Sequence, residues 1–199
     1  MDSSNVSRKI TVNMYLTLDG YGEFPEYPGS NIVQDQPDDA WKAMWTSAYD
    51  KVDTIIYGRN SYLGHSQFHA LSKRRPEDAE FLFDFSRFIE SCEMIVLSHN
   101  LKDTEWGNTR IVQGDLSEIV NNLKNEPGKD IIVDAGPSLV NEFIRRDLAD
   151  EYKMVIFPVI LGRGHHYWSL MSEQRTLKLL SSKALEYGEL YLHYERVKN

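Results

Sequence analysis

Three short stretches combine residue types able to hold a phosphorylated ligand. In Gly58 to Tyr62 (GRNSY) a glycine that admits close backbone approach precedes Arg59, which can grip a phosphate in a fork, and Ser61 follows at a helix start with free amides. The same five residues also read as a helix cap with a solvated arginine. Leu97 to Asn100 (LSHN) puts Ser98 and His99 where a strand ends, either within reach of a phosphate or ribose or as plain turn residues. In Val133 to Leu139 (VDAGPSL) an apolar strand runs into Ala135 and Gly136, and Pro137 and Ser138 begin a helix at once. That leaves the amides of Ser138 and Leu139 directed above the sheet, in the outline of a pyrophosphate cradle or of a tight strand-to-helix turn. With one glycine and no lysine it is neither a GxGxxG nor a Walker loop.

Other residues bear chemistry less directly. Pro158 to Gly164 (PVILGRG) sets two glycines around Arg163, an anion nest or a surface loop. His165 and His166 are adjacent and share no face of a helix or strand, so a metal role is not expected. Trp41, Met44, Trp45, Ala48 and Val52 recur at helical spacing, as an aromatic slot for a flat heterocycle or as core. Neither GxSxG nor HExxH occurs, and the lone Cys92 makes no plausible nucleophile, so hydrolytic chemistry lacks support.

The elements that must position these residues follow from apolar rhythm. Ile10 to Leu18 reads as a buried strand closed by Asp19 and Gly20. From Ile10 to Trp41 there are six acids and neither Lys nor Arg, and the prolines and glycines of this stretch make a long loop before a helix opened by Asp38 and Asp39. Then come a strand at 53–57 entering a helix, a polar surface excursion at 70–80, a helix at 78–90, strands at 94–98 and 109–113, a helix at 115–125, a strand at 130–134, a helix at 137–147 and a strand at 152–161. Asp115 and Glu118 have capping-box spacing, and Pro137 suits a first helical turn. Alternating strands and helices imply right-handed crossovers and a mostly parallel sheet. Runs at 176–183 and 189–197 imply an antiparallel pair at its edge. The expected fold is α/β, one domain over 8–199 after a disordered tail of 1–7.

The chain has 199 residues, with 22 Lys and Arg against 30 Asp and Glu, a net charge of −8. That balance argues against nucleic acid and anionic membranes as partners. An apolar run of about 18 residues, as a membrane span requires, is absent, and a single cysteine forms no internal disulfide. A reducing cytoplasm is the expected setting.

In order along the chain, TLDG at 17–20, GRNSY at 58–62, VLS at 96–98, DAGPSL at 134–139 and LADEYKMVIFPVILGRG at 148–164 resemble the dihydrofolate-reductase-like superfamily, over roughly 8–197. The closer resemblance is to the reductase domain of bifunctional riboflavin-biosynthesis deaminase-reductases. It implies a mainly parallel sheet with flanking helices, and NADPH lying across the strand ends. Carried over by position, Gly58, Arg59 and Ser61 hold cofactor phosphates, Ser98 lies near the adenosine 2′-phosphate, and Ala135, Gly136, Pro137, Ser138 and Leu139 meet the pyrophosphate. Thr17 to Gly20 border the nicotinamide. Asp19, Trp41 and Trp45 are then substrate contacts, with Arg163 the candidate for a substrate phosphate. The family carries two glycines joined by a cis peptide where Ala135 and Gly136 stand, so alanine is a departure that bears on cofactor affinity. The implied reaction is hydride transfer to a C=N or C=O carbon of a small heterocycle or carbonyl. The proton donor is unassigned; folate-reducing members use a carboxylate on the first helix, where only Asp38 and Asp39 precede Trp41. The resemblance carries no deaminase half, which fits recruitment to another heterocycle. A nucleotide or flavin binder without turnover is the alternative, and a methyltransferase fits poorly with Pro137. The resemblance also implies a homodimer, with Tyr187, Tyr191 and Tyr194 on the late edge strands supplying apolar area.

Overall fold

A computed structural model describes residues 7–26, 42 and 44–197. Trp41, Asp38 and Asp39 lie outside the described residues, as does most of the N-terminal tail. The strands are β1 (Ile10–Thr17), β2 (Val52–Gly58), β3 (Glu93–Leu97), β4 (Asn108–Val112), β5 (Asp130–Asp134), β6 (Glu151–Phe157), β7 (Leu177–Ala184) and β8 (Leu190–Arg196). The α-helices are α1 (Arg59–Phe68), α2 (Glu80–Ser91), α3 (Leu116–Asn125) and α4 (Pro137–Arg145). All eight strands form one sheet in the order β4-β3-β2-β5-β1-β6-β8-β7. It is parallel from β4 to β6, while β8 runs antiparallel to both β6 and β7. The expected α/β architecture, with its antiparallel C-terminal edge, is the observed one.

The sheet is covered on both faces, which is why its central strands read as nearly continuous apolar runs. On β1, Ile10, Val12, Met14 and Leu16 turn to one core, shared with α3 and α4 through Val120, Leu123, Val140 and Phe143. The other core packs Met44, Trp45, Phe85, Phe88 and Ile89 over Ile55, Ile132 and Val155. Each such side chain, fully buried, contributes about 1.5–3 kcal/mol. Asp115 caps α3 by accepting from the Ser117 and Glu118 amides.

Four boundaries differ from expectation. The 3₁₀ turn at Thr46–Ala48 ends the early helical stretch, and Val52 belongs to β2 rather than to the aromatic stripe. β6 stops at Phe157 because Pro158 has no amide for the ladder. α4 stops at Arg145, two residues before Asp147 takes the left-handed conformation, φ +57°. The 70–80 excursion contains a 3₁₀ turn at Leu71–Lys73 and closes on an Arg74–Asp78 pair whose side chains are buried. Of the three late tyrosines, Tyr187 is exposed, Tyr194 is partly buried and Tyr191 is buried in the chain's own core. β8 lies between β6 and β7, so its side chains are already committed to the two faces; the exposed apolar groups there are Leu179, Leu180 and Leu190.

Candidate active site

At the carboxyl ends of the parallel strands the chain leaves a cleft of about 190 Å³, where an open parallel sheet offers ligands a crevice. Its walls come from the end of β5 and the start of α4 (Asp134 to Pro137), from Ser61, Gly64 and His65 on α1, and from Asn13 and Tyr15 on β1. Gly22 and Phe24, with Tyr167, close one side. Gly22 must lack a side chain: a Cβ there would stand 2.3 Å from Pro137 Cγ and 2.7 Å from the Tyr167 ring. Phe24, Tyr15 and Phe157 form an aromatic cluster at the rim, with ring centroids 5.5–6.4 Å apart.

The two strand-to-helix turns predicted to hold phosphates stand side by side. A Cβ built on Gly58 would lie 3.8 Å from Leu139 Cδ2 and 3.9 Å from Ala135 Cβ, so the GRNSY and DAGPSL turns are neighbours with room for about a methyl group between them. Gly136, the N-cap of α4, has no atom within 4 Å of where a Cβ would point, an open concavity at a helix N-terminus. The Leu139 amide turns back to the Gly136 carbonyl at 3.2 Å. The Ala135–Gly136 bond is trans, the ground state of a non-proline peptide, and the Ala135 methyl sits toward Gly58. Arg59 is exposed beside Asn60 (3.3 Å) at the α1 N-terminus. Ser61 lines the cleft, whereas Ser98, one strand further out, accepts from the amides of Asn100 and Leu101.

The remaining sequence-predicted residues serve other ends. Asp19 accepts from Thr17 Oγ1 (2.6 Å) and from the amides of Leu161 and Gly162, so the nest of the PVILGRG loop holds the chain's own carboxylate. These hydrogen bonds, the Thr17 hydroxyl first, hold its pKa down at about 2. Thr17 is buried and Gly20 turns the chain at φ +87°, where a Cβ would stand 2.9 Å from His166 Nε2. Arg163 is exposed on that loop and does not line the cleft. Trp45 is 1% exposed and packs edge-on against Phe85 (5.0 Å), with His65 at 6.4 Å. It supports the cleft from behind. No His, Cys, Asp and Glu group among the described residues is arranged to hold a metal ion.

Strand register assembles what sequence reading did not find. Tyr57 pairs with Asp134, Asp134 with Asn13, Asn13 with Lys153 and Lys153 with His193, a polar row across β2, β5, β1, β6 and β8. Burial pushes the Tyr57 phenol well above its ordinary pKa, and its hydroxyl lies 3.3 Å from His65 Nδ1. His65 Nε2 stands 2.9 Å from Asp134 Oδ2. The result is a Tyr57–His65–Asp134 chain ending in the cleft. Burial also lowers the Lys153 amine to about 8, opposed by Glu151 and aided by Lys51, and the amine donates to Ser47 Oγ at 2.8 Å. The signal in the sequence was a lone polar residue interrupting each apolar strand: Asn13 in ITVNMYLT, Lys153 in EYKMVIF, Asp134 closing DIIVD.

Residues 8–191 match the family model of the RibD C-terminal domain. Over 199 residues the chain is 28% identical to YyaP of Bacillus subtilis strain 168, an uncharacterized protein, covering 98% of each. A presumed riboflavin biosynthesis protein of Shewanella sp. PV-4 superposes with a TM-score of 0.67 at 19% identity, over 96% of this chain and 99% of that one. Dihydrofolate reductase of Enterococcus faecalis, complexed with NADP(H), gives a TM-score of 0.54 at 12% identity, over 96% and 97%. The structural likenesses fix the fold, dihydrofolate-reductase-like, and the family model runs from residue 8 into the start of β8. This chain therefore belongs to the RibD C-terminal domain family.

Proposed function

We propose that the protein is an NADPH-dependent reductase of a small heterocyclic or carbonyl substrate, of the riboflavin-pathway reductase type. The observation that carries this reading is the adjacency of the GRNSY and DAGPSL turns at the ends of the paired strands β2 and β5, with the open Gly136 face above the cleft. The residues present suit a dinucleotide phosphate: a helix N-terminus without a side chain in the way, and an exposed arginine at a second helix start. Gly136, Pro137 and Ser138 would hold the pyrophosphate, Arg59 and Ser61 the outer phosphate. When bound, the reduced nicotinamide supplies a hydride.

The chain's own part is alignment, exclusion of water and a proton. Tyr15, Phe24 and Tyr167 give the cleft apolar walls that exclude water and let a planar ring lie flat. The reduced C=N or C=O group takes one hydride at carbon and one proton at nitrogen or oxygen. One proton held by the His65–Asp134 pair, 2.9 Å apart, passes to that atom and is replaced from water, and the Tyr57 hydroxyl, 3.3 Å from Nδ1, orients the imidazole. A second reading, a nucleotide binder without turnover, is favoured by Ala135, whose methyl takes up room between the two turns.

Titration with NADPH and NADH, followed by oxidation of each with pteridine, aminopyrimidine and quinone acceptors, separates these readings. The reductase reading expects NADPH binding and acceptor-dependent oxidation, and Arg59→Ala should weaken NADPH far more than NADH. Tight binding with no oxidation supports the silent binder, and no binding of either nucleotide overturns both. A homodimer through the exposed leucines of β7 and β8 belongs to the same proposal, and a monomeric mass by light scattering would refute it.

A further inference from the structure

Asn13 is 1% exposed, in the middle of a central strand, and among the described residues neither its Nδ2 nor its Oδ1 has a hydrogen-bond partner. A buried amide left unpaired costs a protein stability, so such a group needs a reason. It faces the cleft, beside Asp134 on the neighbouring strand. An amide presents one acceptor and two donors, and the group that answers both at once is another amide edge, C=O next to N–H.

The charges around it narrow the ligand further. Among the described residues lining the cleft there is no Lys or Arg; the ionisable groups capable of charge near neutrality are Asp134 and His65. Lys153, next to Asn13 in register, donates to Ser47 Oγ and the Met44 carbonyl and does not line the cleft. A substrate phosphate or carboxylate would find no counter-charge here.

We infer that the substrate side of the cleft takes an uncharged planar molecule with a lactam or carboxamide edge and no phosphate, and that Asn13 is the residue that reads that edge. This rests on the reductase reading for its reaction but not for its binding chemistry. It places the substrate apart from phosphoribosylated rings, which would need a cation.

Lumazine, an uncharged bicyclic lactam, is the probe, beside its doubly N-methylated derivative and the same ring bearing a carboxylate. Binding is followed by the ring's fluorescence, with and without NADPH. For the wild type, methylation and the carboxylate should each weaken binding by roughly tenfold or more. Asn13→Val, a strand-forming residue of similar size, should lose lumazine by a similar factor, leave NADPH affinity within about twofold, and abolish the discrimination against the methylated ring. Its Tm should rise by roughly 2–4 °C, since an unpaired buried amide is removed. Asn13→Leu, close in shape but with neither donor nor acceptor, gives the same loss of discrimination if the valine variant folds poorly. No lumazine binding by the wild type, tighter binding of the carboxylate ring, or methyl discrimination that persists in both variants would each overturn the inference. Failure of the reductase reading looks different: no oxidation of NADPH, with the coupling between Asn13 and the lactam edge intact.

Discussion

At the amino-terminal ends of the strands, Arg8 is 5% exposed, and at the level where β5 ends Asn13 is 1% exposed, yet the two are treated in opposite ways. Arg8 donates to the carbonyls of Lys129 and Leu123, to Asp53 and to Thr54. Around it Lys124 pairs with Asp150, and Glu151 joins Lys9 to His193. Asn13 meets nothing within the described chain. Gly64, in the middle of α1 with open space where its side chain would be, and Gly136, open at the α4 N-cap, border the same cleft. A glycine in a helix interior costs up to about 1 kcal/mol against alanine. One end of the sheet thus ties its buried Arg8 into four acceptors; the other leaves the Asn13 amide and space free among the described residues, at a cost in stability that a ligand can recover.

The comparison breaks most sharply at His65. His65→Phe keeps an aromatic ring beside Trp45 and Phe85 but cuts the proton path, so turnover should fall roughly 10²–10⁴-fold while NADPH affinity changes little. A loss of NADPH binding equal to the loss of turnover would move His65 from proton delivery to cofactor contact. At the saturated end the signature reverses. Arg8→Met removes one donor each from Asp53, Thr54 and two carbonyls and leaves Asp53 half-buried without its counter-charge, so it should lower stability by about 3 kcal/mol, read as a fall in Tm, with ligand affinities unchanged.

Lys153 lies between these extremes, and pH exposes it. In the unfolded chain its amine holds a proton up to about pH 10.5, in the fold only to about 8. Between those values the unfolded state binds more protons, so stability rises with pH. Below about pH 8 the charged amine is a burden of order 2 kcal/mol. Lys153→Met should therefore raise Tm at neutral pH and flatten the rise above pH 8. An unchanged alkaline profile would assign the rise to another group.

Much of this fold is legible in the chain because strands alternating with helices carry their own punctuation. Asp115 begins α3 and Pro137 begins α4 as their types require. The two strand-to-helix turns at Gly58 and Gly136 were legible as well, since each is a local pattern of glycine and helix start. The polar row was not. Tyr57, Asp134, Asn13, Lys153 and His193 come from five strands whose neighbours in space are not neighbours in sequence, and only the order β2-β5-β1-β6-β8 brings them level. His65 illustrates the same limit, because nothing local says that a helix residue will stand between a tyrosine and an aspartate from two different strands. Asp19 shows the reverse error of locality: a carboxylate at a strand end suggested a ligand contact, and its partners are amides 142 and 143 residues away.

Gly136→Val tests the central claim most directly. A Cβ there would meet no atom of the protein within 4 Å, and φ −67°, ψ 167° is extended backbone open to a branched residue, so the fold should persist with Tm within a few degrees. If the dinucleotide phosphates cross the α4 N-terminus, titration will show NADPH weakened by roughly tenfold or more. NADPH affinity equal to that of the wild type, in a folded variant, would contradict the account.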